Sequence, residues 1–131
     1  MRCGVSFTSK LEGMITDKNL SEDLQVQFKE FMKTRNLKLE IDFSPQVLTT
    51  GFWPAFKTDD INIPPEMERC LNIFKDFYDS RTQSRVLKWV HSLGGTTLTA
   101  RFRKGDKEIS CSTYQVFSSS FYYKINQLQC I

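Results

Sequence analysis

Between Leu20 and Phe43 the hydrophobic residues change period, and that change restricts the possible folds more than any other feature of the chain. Leu20, Leu24, Phe28, Phe31 and Met32 recur at the steps of one helix face, with Glu22, Gln25, Lys29 and Lys33 elsewhere. From Leu37 the spacing drops to two: Leu37, Leu39, Ile41 and Phe43 alternate with Lys38, Glu40 and Asp42 until Pro45 interrupts. A helix pattern running straight into a strand pattern, in 131 residues without an internal repeat, implies helices packed on a sheet. The length suits one domain with a real core, and the expected class is α+β with a small, mainly antiparallel sheet.

The remaining segments extend this pattern. Upstream, Phe7, Leu11 and Met14 form a short amphipathic piece weakened by Gly13, with a break expected near Asp17 to Asn19. Downstream, "VLTTGFWPAF" places Phe52 and Trp53 between Gly51 and Pro54, a non-helical stretch whose aromatics need cover. Pro64 and Pro65 open the clearest helix, where Met67, Cys70, Leu71, Phe74, Phe77 and Tyr78 share one face and Ser80 marks the end. Three short strands are expected around Leu87–Val90, Thr97–Phe102 and Lys107–Cys111, with Leu98, Ala100, Phe102, Ile109 and Cys111 inward. Ser112 and Gln115 match a capping box, ahead of a final helix carrying Tyr114, Phe117, Phe121, Ile125 and Leu128.

Catalytic and metal chemistry find little support. The four cysteines, at 3, 70, 111 and 130, form no C-x-x-C pair, and His91 is the single imidazole, so neither a metal nor a cofactor is expected. A dyad of His91 with Cys111 would need them side by side, whereas His91 falls in a strand pattern. Asp59 and Asp60 lie in a polar loop, and "LGGTT" lacks the Lys-Ser/Thr of a phosphate-binding loop. The expected protein is not an enzyme. The net charge of +3 is mild, and Arg101, Arg103 and Lys104 read as a solvated sheet face, so neither nucleic acid nor membrane is an expected partner. No run approaches the roughly 18 apolar residues of a membrane span. "MRCGVSFTSK" lacks an apolar signal region, which points inside the cell, to cytoplasm and/or nucleus, with reduced thiols.

The stretches "FTSKLEGMITD", "LSEDLQVQFKEF", "VLTTGFWP", "PPEMERCLNIFKDFY", "LKWVHSLGGTTLTARF" and "GDKEISCSTYQVF" occur in the order and at the distances of a cullin homology region. The chain resembles the cullin family, most of all cullins of the SCF type, from about Phe7 to Phe117. The resemblance implies a single fragment over 1–131, with about 1–36 the end of a four-helix bundle and about 37–131 the following α/β subdomain. Cullins are non-catalytic scaffolds of ubiquitin ligases, and in the family this subdomain accepts a strand of a RING-box protein into its sheet. That implies a RING-box partner here, with Leu87, Trp89, Leu98, Ala100 and Phe102 lining the groove beneath its strand. Other ligase subunits would join only through a complete cullin. Trp53, with Phe52 beside it, would anchor the connection between bundle and sheet. The adaptor-binding repeats and the winged-helix parts are expected to be missing. Thr82 to Leu87 keeps only Arg85 and Leu87 of the family's pattern, and "VFSSSFYY" replaces an aliphatic segment. The alternatives are a truncated relative that competes for the RING-box protein without forming an active ligase, and a winged-helix-like nucleic-acid binder using Arg101, Arg103 and Lys104.

Overall fold

Proline can begin a helix because the first turn leaves its N–H unused, and Pro65 does so in α2, Pro65–Arg81. Glu66 and Glu68 sit in that first turn, at the positive end of the helix dipole. All six apolar residues of its expected face are buried, Phe74 and Phe77 completely. The computed structural model describes residues 4–56, 61–118 and 123–130, and in it α2 is the centre of the core. Phe28 of helix α1 (Val5–Thr34) lies 5.1 Å from Phe74 and 5.4 Å from Phe77, ring centre to ring centre. Phe43 of strand β1 (Asp42–Pro45) and Trp89 close the same cluster from the sheet side, mostly with edge-on or tilted rings. Such geometries suit the ring quadrupoles and add to the area buried.

The expected break at Asp17–Asn19 is absent: α1 runs unbroken for 30 residues. Asp17 and Ser21 are buried on it, so tertiary contacts rather than local preference hold this turn helical. Leu20, expected on the inner face, is half exposed, and Ser21 takes its place above Leu24, Phe28 and Phe31. Gly13 is not a weak point either. A Cβ there would stand 2.5 Å from Phe52 Cγ, so glycine is what lets the aromatic loop lie against the helix. Val5, Phe7, Ile15 and Val26 remain exposed on other faces of α1.

The described residues form a four-stranded sheet in the order β1, β4 (Tyr123–Cys130), β2 (Gly95–Phe102), β3 (Gly105–Ser112). Strands β2 and β3 form a hairpin, with Gly105 at φ 116°, a left-handed conformation that glycine tolerates. The capping box forms as the residues suggest: Ser112 N donates to Gln115 Oε1 at 2.9 Å, opening the short helix α3, Thr113–Ser118. The expected final helix then ends early. Tyr123–Cys130 is strand β4, antiparallel to β2 and parallel to β1. Backbone groups of β1 and β2 would otherwise lack partners, and pairing them outweighs the helical spacing of Ile125 and Leu128. Phe121 and the loop carboxylates Asp59 and Asp60 lie outside the described residues, as does Cys3.

Two further expectations are corrected. Leu87–Val90 pairs with no strand among the described residues, and the chain turns there into one 3-10 turn, His91–Leu93, so His91 is not a strand residue. Phe102, at the hairpin end of β2, and Ile109, on the edge strand β3, do not point into the core but are 58% and 42% exposed. The class is nonetheless α+β, with two antiparallel pairings and one parallel. No described helix is long and apolar enough to cross a membrane.

Candidate partner-binding sheet

Three polar side chains one helical turn apart on α1 meet three alternate residues of the extended chain that runs on from the last residue of β1. Gln25 Nε2 donates to the Pro45 carbonyl at 2.9 Å. Ser21 Oγ both donates to the Val47 carbonyl and accepts from the Val47 N–H, each at 2.9 Å. Asp17 accepts from the Thr49 N–H at 2.7 Å, the Thr49 hydroxyl at 2.7 Å and the Trp53 indole N–H at 2.8 Å. Four helical residues rise about 6.0 Å and two extended residues about 6.6 Å, so helix side chains can track an extended backbone over this distance. The helix thus acts as a neighbouring strand would. Trp53 is the expected anchor between α1 and the sheet unit, with Asp17 as its counterpart.

This arrangement decides which edges of the sheet are open. The chain that continues from β1 is taken up by α1, and Pro45 has no N–H to offer an incoming strand. The outer edge of β3 faces solvent, with residues 105–110 all exposed. Between β1 and β2 there is room for one strand, and β4 fills it.

The five residues expected beneath a partner strand do not share one surface. Leu98 is buried in the core. Ala100 is half-buried opposite Lys107 of β3 and Tyr123 of β4. Leu87 and Trp89 line a cleft of about 610 Å³ whose other wall is the Thr49–Phe56 loop. Phe102 stands in solvent at the end of β2. Asp17, Ser21 and Gln25 were not legible as a site in the sequence. Their one signal is a spacing of four, which places Asp17, Ser21 and Gln25 on one side of a continuous helix.

The reactive groups present are poorly placed for chemistry. Burial pushes the Cys70 thiol up to about 11 and raises that of Cys111, so neither is a ready thiolate near neutral pH. Burial also lowers His91, which keeps its ring neutral there. Among the described residues no three His, Cys, Asp or Glu side chains cluster as metal ligands would.

A helix clasped to a small mixed sheet describes an α+β unit. Residues 47–119 match the family model of the cullin alpha+beta domain. Cullin-1 of Oryza sativa subsp. japonica is 46% identical over 115 residues, which are 87% of this chain and 16% of the relative. Cullin-2 of Arabidopsis thaliana is 48% identical over 113 residues, 86% of this chain and 15% of the relative. The putative cullin-like protein 1 of Arabidopsis thaliana is 45% identical over 102 residues, 77% of this chain and 14% of the relative. The chain belongs to the cullin family. It spans no more than 16% of the length of these three relatives.

Proposed function

We propose that this chain is a non-catalytic scaffold unit of a cullin-RING ubiquitin ligase, which binds a RING-box protein by strand addition and so supports protein ubiquitination inside the cell, in cytoplasm or nucleus. The observation that carries the reading is the match of residues 47–119 to the cullin alpha+beta domain, over a stretch that holds the β2–β3 hairpin. Strand addition draws its affinity from main-chain hydrogen bonds and its specificity from alternate side-chain positions. The chain's part is to hold the partner in place, while the chemistry of transfer belongs to other subunits.

The test is co-expression with a tagged RING-box protein, followed by size-exclusion chromatography. A one-to-one complex is expected, and it should be lost when the partner's extended N-terminal segment is deleted. Ala100→Pro, which removes a ladder donor from β2, should also lose it, whereas Arg101→Ala should keep it. A folded chain that ignores the RING-box protein, or one that binds it equally well without the segment, overturns the reading.

A further inference from the structure

The hairpin that joins β2 to β3 runs on past the rest of the sheet. The last β2 residue paired with β4 is Ala100, opposite Tyr123, whereas pairing with β3 continues to Phe102 opposite Gly105. Residues 101–110 are all exposed. Alternation along two antiparallel strands sorts their side chains, because residues directly opposite share a face. One face receives Phe102, Lys107 and Ile109, and the other receives Arg101, Asp106 and Glu108. Arg103 and Lys104 lie in the turn between the strands.

The sorting also separates charge. Both carboxylates of the hairpin fall on the second face, where Asp106 stands directly opposite Arg101. The first face and the turn hold the cations Arg103, Lys104 and Lys107 and, among the described residues of the hairpin, no acid. The apolar side chains there, Phe102 and Ile109, are 58% and 42% exposed. Turned inward, as their alternation suggests, they would leave these cations on an ordinary solvated sheet face. Turned outward, they give the cations an uncovered apolar anchor.

We propose that this hairpin tip docks on an anionic membrane surface. Phe102 and Ile109 enter the boundary between headgroups and acyl chains, while Arg103, Lys104 and Lys107 meet lipid phosphates. A tip exposed along its whole length offers no groove to enclose a peptide, but it can enter a soft interface. Nucleic acid would meet the same cations, yet only one of the two apolar side chains has a ring on which a base could stack. The acid-free face lets the cations approach a negative surface without repulsion. Each of them strengthens binding by roughly fivefold, so the attachment is weak and reversible. The inference goes beyond the scaffold reading and does not rest on it.

The experiment is co-sedimentation of the full chain with phosphatidylcholine vesicles, with and without phosphatidylserine. Binding is expected only where phosphatidylserine is present, and added salt should weaken it. Phe102→Ser should lower binding roughly tenfold, by removing the apolar anchor. Lys104→Glu should lower it by a similar factor, and Glu108→Gln on the opposite face should leave it within about twofold. Unchanged urea midpoints for the three variants confirm that each is folded. A folded chain that ignores the phosphatidylserine vesicles overturns the proposal, and so does binding that Phe102→Ser leaves intact. An equal or stronger hold on a single-stranded oligonucleotide also overturns it and assigns the tip to nucleic acid. Because no RING-box protein takes part, none of these outcomes bears on the scaffold reading.

Discussion

Replacing Asp17 with alanine removes one acceptor from three donors at once, the Thr49 N–H, the Thr49 hydroxyl and the Trp53 indole. A hydrogen bond to a charged group contributes about 1.5–3 kcal/mol net, so the gross loss is about 4.5–9 kcal/mol. Two effects reduce it. Asp17 is 3% exposed, and alanine relieves the cost of burying its carboxylate. Thr49 is exposed and Trp53 half-buried, so water can reach the donors left behind. A net destabilisation of about 3 kcal/mol is expected, within the range for breaking a buried charged pairing. Asp17→Asn should cost only about 1 kcal/mol, because the amide oxygen can keep the two N–H donors while its NH₂ donates to the Thr49 hydroxyl. The assay is urea unfolding followed by tryptophan fluorescence, with Trp53→Phe as the second arm of a double-mutant cycle. The expected coupling between the two sites is about 1–2 kcal/mol. If Asp17→Ala stays within about 0.5 kcal/mol of the exposed control Glu12→Ala, the clasp is not what joins the helix to the sheet.

Three other outcomes follow from the packing. Phe74→Ala should cost about 3–5 kcal/mol while Lys75→Ala on the exposed face stays nearly silent, and equal effects in urea melts would mean the buried face is misplaced. Gly13→Ala should destabilise by about 1 kcal/mol although alanine is the better helix former by a similar amount, since the Phe52 ring must move; a stabilised variant would show the contact to be loose. The Cys70 thiol, pushed up to about 11 by burial, stays protonated in the fold while the unfolded chain ionises from about 9. Stability should therefore be complete below pH 9 and fall as pH rises towards 11. Thermal melts across that window should show a flatter limb for Cys70→Val, and identical limbs would remove the thiol as the cause.

Helix α2 could be read from the residues because every determinant is local: Pro65 at its start, two glutamates in the first turn, six apolar residues on one face. The β2–β3 hairpin and the Ser112–Gln115 box are legible for the same reason, since partner residues lie within a few positions of each other. The period change at Leu37 likewise fixed the α+β class. Family membership follows from short stretches whose order survives without any knowledge of their contacts.

What the tertiary structure decided lies in residues whose roles depend on distant ones. Asp17 looks like a helix breaker until Thr49 and Trp53, 32 and 36 positions away, give its carboxylate three donors. Gly13 looks like a defect until Phe52 lies on it. The sharpest case is the last segment, where Ile125 and Leu128 stand at a helical step of three and yet belong to strand β4. Local periodicity is overridden there, because the segment supplies backbone partners to β1 and β2, with a bulge in its pairing with β2. Main-chain hydrogen bonding between segments some eighty residues apart leaves no mark on the side-chain pattern of either one.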